Sequence, residues 1–369
     1  MNKSAVDAAA APADQARALL DHRYRSATAY EVGREKIREF ARAVQDFHPA
    51  HWYEEAAAQL GFDGLIAPPT FASIILLRVH REILDTLITG YDSHRILHAD
   101  QVLDIGRPLV VGDRITCDVY FESFRHFADY DVLAVKSVLT DQRGEVVQTG
   151  STALLARTGP DEAGLAERVS RIAMHAPDAL GTPGVVVPGD GDGIVAPISP
   201  RTPRTTIDFE SLSVGTELPT RVVHLSRGDL VNYAGVTGDT NPVLFSQQAA
   251  NATGLPTVVA PGMLKLGLAA GYLGGWLGDP AAATRFRAQF AHYTHYLHIP
   301  PLQASAVEFR GRITSLDPHR RMATVAVDAR SHGRRLFGYA AAEVLFPERD
   351  RSPVSRASLR CESSRAARS

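Results

Sequence analysis

A duplication constrains this chain more than any other feature. Sliding the first half by 193 positions lays Asp46 on Asp239, His48 on Asn241, Pro49 on Pro242, His51 on Leu244 and Trp52 on Phe245. The same gapless offset pairs Arg34 with Arg227, Ala41 with Ala234, Gly61 with Gly254, and Ala67-Pro68 with Ala260-Pro261. Identities held in constant register at so long a period mean two copies of a whole domain rather than a solenoid. The 369 residues accommodate two domains of about 100–150 residues with connections.

Apolar residues make up 45% of the chain, charged residues 22%, and the net charge is −2. This balance argues against a nucleic-acid partner, which would need a concentrated basic face. The Arg-rich residues 348–369 and the Ala-rich residues 1–21 are expected to be disordered and solvated. Cys117 and Cys361 offer neither a disulfide framework nor a metal spacing, which fits a reducing cytoplasm, with Cys117 as a small buried hydrophobe. No signal-peptide pattern opens the chain, and the longest nearly apolar run, residues 262–278, is interrupted by Lys265, so no membrane partner is expected.

Residues 30–45 read as an amphipathic helix, with Val32, Ile37, Phe40, Ala41 and Val44 near one face. Pro49 disfavours helical geometry at His48 and turns the chain. A short helix over 51–60 closes at Gly61, and residues 70–87, apolar almost all round at first, read as a long buried helix. Strands are expected at 96–105, 114–123, 131–140 and 145–155. Residues 158–204, with one helical stretch at 163–174 and then a Gly/Pro-rich run, read as a linker.

The second copy repeats this order. Ser226 and Asp229 form a capping-box pattern before a helix that runs to Val236. A short helix over 246–253 closes at Gly254, a glycine-rich helix covers 262–276, and strands follow at 288–298, 305–316, 322–331 and 335–345. One long helix wrapped by an antiparallel sheet is the hot-dog arrangement, an α+β fold. Two copies, at residues 22–157 and 205–347, predict a double hot dog.

The stretch from Gly238 to Leu244, Gly-Asp-Thr-Asn-Pro-Val-Leu, followed by Ala260-Pro-Gly-Met263, resembles the signature of the MaoC-like, hydratase-2 enzymes. In that family Gly-Asp-x-Asn-Pro-Ile/Leu-His precedes Ala-His-Gly-Met. The run from Tyr30 to Phe40, with Ala67-Pro-Pro-Thr-Phe71, resembles the partner-type subunit of actinobacterial fatty-acid and mycolic-acid dehydratase heterodimers. From about Ser26 to Phe346 the chain therefore resembles the two subunits fused. The resemblance implies reversible syn addition of water to a 2-enoyl thioester of acyl carrier protein or coenzyme A, giving the (3R)-hydroxyacyl thioester without cofactor or metal. It implies that an Asp and a His position the water and carry its protons. Backbone N–H groups where the buried helix begins would hold the thioester oxygen. Those helix starts are Gly262-Met263 and, by the repeat, Pro69-Thr70.

Two positions depart from the family pattern. The first family histidine falls on Leu244 and the second on Pro261, so this copy keeps Asp239 and Asn241 but has no imidazole. The first copy carries Asp46 and His51 at the family's five-residue spacing, with His48 in the place of the Asn. The working dyad is therefore expected in the first half, with the second shaping the acyl tunnel. A plainer reading makes Asp46 a turn carboxylate and His51 a half-exposed residue starting a short helix. His80, Glu82 and Asp85 read as the exposed face of the long helix near its end. His292, His295 and His298 read as sheet residues whose alternation does not make a metal site. A dehydratase or enoyl hydratase thus competes with a related addition, such as cyclisation by a substrate hydroxyl, and with an acyl-thioester-binding scaffold whose sites have decayed. Surplus sheet edge favours a homodimer.

Overall fold

The protein, as a computed structural model, is described for residues 10–92, 95–127, 129–158, 164–172, 184–189, 196–290 and 296–348. The first copy supplies α1 (Pro12–Ala18), β1 (His22–Arg25), β2 (Tyr30–Glu31), α2 (Arg34–Ala43), α3 (Glu54–Gln59) and α4 (Ala72–Thr86). Its strands continue with β3 (Ile96–Ile105), β4 (Arg114–Phe127), β5 (Tyr130–Thr140) and β6 (Val146–Arg157), and α5 (Leu165–Ser170) and β7 (Val185–Pro188) follow. The second copy supplies β8 (Arg221–Leu225), α6 (Arg227–Thr237), α7 (Gln247–Ala252), α8 (Gly262–Leu277) and β9 (Ala283–Gln289). It ends with β10 (Ser305–Asp317), β11 (Met322–Ser331), β12 (Arg334–Arg335) and β13 (Tyr339–Leu345).

Among the described residues all the strands join one sheet, in the order β7-β1-β4-β5-β6-β3-β9-β13-β11-β10-β8, with β2 on β4 and β12 on β11. The two copies meet at its middle, where β3 and β9 run antiparallel with Leu103 opposite Phe286. Both of those side chains are buried, because alternate residues of a strand face the same side. The inward faces of the strands share a single core with α4 and α8. Burial of α8 nearly all round explains why its sequence lacks a polar face. This is the double hot-dog arrangement. Phe40 of α2 stands edge-on to Phe71 at 5.4 Å and reaches Tyr233 of α6, in the other copy, at 6.5 Å. Burying a ring of this size stabilises by about 1.5–3 kcal/mol.

Local signals set the element ends. Ser226 Oγ accepts the Asp229 N–H at 3.3 Å while Asp229 Oδ2 accepts the Ser226 N–H at 2.7 Å, so the capping box forms. Gly61 and Gly254 follow the short helices α3 and α7 with φ of +85° and +82°, a region glycine enters without a Cβ penalty.

Several expectations need correction. Residues 10–21 are not loose: they carry α1, whose Ala16 is buried, and Gln15 accepts the Thr89 N–H at 2.8 Å. Tyr30 and Glu31 pair with β4 instead of opening a helix, so α2 begins at Arg34. Helix α4 begins at Ala72, not Thr70, because Pro68 to Ser73 first make tight turns. In place of the strand expected at 288–298, β9 ends at Gln289 and pairs with β3 from Asp104 opposite Arg285 to Asp100 opposite Gln289. His298 makes an isolated bridge to Val259, while His292 and His295 lie outside the described residues, as does the tail from 349. Within 158–204, β7 extends the sheet by pairing with β1.

Candidate functional site

The two repeat-matched turns share one backbone. Asp46 Oδ1 accepts the His48 N–H at 3.2 Å, and Asp239 Oδ1 accepts the Asn241 N–H at 3.2 Å. His48 Nδ1 then accepts from Ala50 N at 3.3 Å, as Asn241 Oδ1 accepts from Val243 N at 3.3 Å. Each turn continues into a single 3-10 turn, Pro49–His51 or Pro242–Leu244. Short polar side chains favour such turns by bonding to their own backbone. What separates the sites is the last residue of the turn and the helix that faces it.

In the first copy, His51 Nε2 lies 3.3 Å from Asp46 Oδ2, within ion-pair reach, although neither atom makes a hydrogen bond. His51 Nδ1 is 2.7 Å from the Ile66 carbonyl, which fixes that nitrogen as the N–H donor. Burial would raise the Asp46 carboxyl, but the His51 imidazole beside it and the His48 N–H hold it below its ordinary value. Burial and the neighbouring His51 lower His48, whose Nε2 meets the Gly278 carbonyl at 3.2 Å. His51, expected to be half-exposed on the plainer reading, is wholly buried, and Asp46 is 2% exposed. Helix α8 closes over them: a Cβ on Gly271 would stand 3.2 Å from both Asp46 Cβ and Cγ.

The second copy is open. A cavity of about 530 Å³ is lined by Asp239, Asn241 and Leu244 on one side and by Pro261, Gly262 and Met263 at the start of α8 on another. Helix α4 of the first copy forms the opposite wall through Leu77, His80 and Arg81. The size is that of a small-molecule pocket. Asp239 is half-buried, and burial raises its carboxyl despite the Asn241 N–H and the Arg81 guanidinium, which both pull it down. Arg81 Nη1 donates to Thr240 Oγ1, so the first copy grips the second copy's loop. Leu244 is buried with Val243 and Val259 in a small apolar cluster. Asp46, His51, Pro69 and Thr70 do not line this cavity.

His80, read from sequence as exposed, is buried in the cavity wall with Nε2 3.2 Å from Ser137 Oγ; Glu82 is half-buried and Asp85 exposed. His98 and Lys265 also line the cavity without having been singled out as site residues. Burial lowers the Lys265 amine to about 7 and the His80 and His98 imidazoles to about 3 and about 4. A lysine in an otherwise apolar helix was the available signal for Lys265. Among the described residues no group of three His, Cys, Asp or Glu side chains could hold a metal ion, and no helix is long and apolar enough to cross a membrane.

Comparison with known proteins follows the same two-copy division. A family model described as "FAS1-like, dehydratase domain region" matches residues 18–150, and "MaoC like domain" matches residues 209–295. A solved structure described as a MaoC-like dehydratase is 38% identical, with a TM-score of 0.81 over 90% of this chain and 99% of that one. A UPF0336 protein of Streptomyces griseus is 40% identical over 145 residues, which span 39% of this chain and 97% of the relative. A conserved protein of Mycobacterium tuberculosis described as having a double hotdog fold aligns at 15% identity and a TM-score of 0.59, over 88% of this chain and 95% of its own, a likeness of fold.

Proposed function

Since this chain belongs to the MaoC-like dehydratases, we propose that it is a (3R)-hydroxyacyl thioester dehydratase, in reverse an (R)-specific 2-enoyl thioester hydratase, with Asp239 as its acid–base group. The observation that carries this reading is the cavity, which has Asp239 and Asn241 on one wall and the first turn of α8 on another. The acyl group would be delivered on acyl carrier protein or coenzyme A. A homodimer would pair through the outer edges of β7 or β8, the ends of the sheet.

With Leu244 in the histidine's place, a carboxyl that keeps its proton can serve both ends of a syn elimination. One Asp239 oxygen takes the α-proton while the other delivers its proton to the departing β-hydroxyl. Water and the enoyl thioester leave, and the carboxyl is again protonated. Burial shifts the Asp239 carboxyl toward this protonated form. Negative charge developing on the thioester oxygen meets the N–H groups of Gly262 and Met263, where a helix start has unpaired donors and a favourable dipole. Asn241, whose Oδ1 is held by the turn, presents its amide N–H groups to the substrate hydroxyl.

A second reading keeps the chemistry at Asp46 and His51, and it is favoured by their 3.3 Å contact. Enoyl absorbance, followed with trans-2-enoyl and (3R)-hydroxyacyl thioesters, separates the two. Asp239→Asn abolishes turnover while Asp46→Asn and His51→Ala retain it; the reverse pattern assigns the dyad to the first copy. Acyl binding without turnover in the unaltered chain would instead indicate a scaffold.

A further inference from the structure

The cavity lining is mostly apolar, with Ser73, Gln101 and several tyrosines among its polar members, and away from the catalytic corner it carries a strip of basic side chains. His80 of α4 and His98 of β3 both line it, and so does Lys265 in the first turns of α8. Phe290 links the strip. Its ring stands edge-on to His98 at 5.3 Å between centroids and lies 5.8 Å from Lys265 Nζ. A Cβ on Gly262 would come 2.7 Å from Phe290 Cγ, so the strip passes directly beside the start of α8. Each member is held by the fold: His80 Nε2 faces Ser137 Oγ, and Lys265 Nζ donates to the Leu336 carbonyl at 3.0 Å. The His98 Nε2 is buried without a hydrogen-bond partner.

A plain hydrocarbon chain filling this space would seal the His98 Nε2 away from water while returning nothing to it. A buried polar atom left unsatisfied is costly, and a site built to bond a substrate oxygen rejects the analogue that lacks it. We propose that the cavity is specific for an oxygenated acyl chain, one carrying a hydroxyl or ketone beyond the reacting carbons, which the strip formed by His80, His98 and Lys265 recognises. The two imidazoles are neutral, as suits an uncharged oxygen. This inference rests on the proposed acyl-thioester reading and adds a substrate class to it.

The test is equilibrium binding to the full chain carrying Asp239→Asn, so that turnover does not intervene. The probes are N-acetylcysteamine thioesters of octanoate and of its distal hydroxy-, oxo- and carboxy- derivatives. The hydroxy or oxo chain is expected to bind roughly tenfold more tightly than the plain chain, the worth of one well-placed buried hydrogen bond. His98→Phe and Lys265→Met, each added to that background, should remove this preference while plain-chain binding is kept or improved. Equal or tighter binding of the plain chain, or tightest binding of the carboxylate, overturns the inference and leaves the acyl-thioester reading standing. Binding of none of the probes overturns both.

Discussion

Leu244→His should restore the missing imidazole to a site that already has a place for it. In the first copy, His51 is anchored by the Ile66 carbonyl and faces Asp46. The repeat partner of Ile66 is Val259, and the backbone around it is the same: the Ile66 N–H bonds to the Ala50 carbonyl at 3.3 Å, and the Val259 N–H to the Val243 carbonyl at 3.4 Å. An imidazole at 244 can therefore donate from Nδ1 to the Val259 carbonyl and turn Nε2 toward Asp239. Losing the buried leucine costs about 1.5–3 kcal/mol, and one hydrogen bond returns about 1 kcal/mol, so the variant should lose about 0.5–2 kcal/mol of stability and remain folded. A positioned acid–base group contributes about 10²–10⁴-fold. Hydration of a trans-2-enoyl thioester, followed by loss of enoyl absorbance, should accelerate by about 10²-fold. The new imidazole should also pull the Asp239 carboxyl down, as His51 pulls Asp46 down, moving the pH–rate limb to lower pH. A folded Leu244→His protein with unchanged rate and unchanged pH profile would refute the reasoning.

Two further perturbations test the same geometry. Arg81→Met removes the charge that restrains Asp239, so the carboxyl should hold its proton to higher pH. If the protonated form does the work, activity falls as pH rises through that value, and the falling limb of kcat/KM should move to higher pH, with Arg81→Lys restoring most of the original position. Asp46 titrates below its unfolded value, so its stabilisation is complete above about pH 4 and is lost as pH falls through the depressed folded value. Asp46→Asn should cost about 3 kcal/mol near neutral pH and flatten the acid limb of thermal stability, which differential scanning calorimetry across pH reads directly.

The duplication and the order of elements were legible because they rest on local signals: apolar period, turn prolines, and the glycines after short helices. The shared turn was legible too, since Asp46, His48 and Pro49 reappear as Asp239, Asn241 and Pro242. Other features depend on partners far along the chain. The end of β9 is fixed by its pairing with β3, whose Asp104 takes Arg285, and no pattern within 283–298 announces this. His80 looks like an outward residue on its own helix; it is buried because Ser137, on β5, lies beside it. The cavity was the least legible feature, since its walls come from both copies.

Which copy stays open follows from the two long helices more than from the two turns. On α8, Gly267 and Gly271 lie against the first copy's turn, and added Cβ atoms would stand 2.6 Å from Val44 Cγ1 and 3.2 Å from Asp46 Cγ. The helix can therefore settle directly onto Asp46. Helix α4 carries Ile74 and Arg78 at the repeat-matched positions and sends Leu77 and Arg81 into the cavity wall facing Asp239. Arg81 reaches Thr240 on the loop, and the cavity lies among these side chains. On this reading the copy that kept the histidine gave up its access, and the copy that kept its access gave up the histidine. A buried carboxylate–imidazole pair can hold a turn in place, whereas a carboxyl facing a cavity can take and return a proton. The glycines of α8, read beside the missing histidine, therefore move the expected chemistry from Asp46 to Asp239.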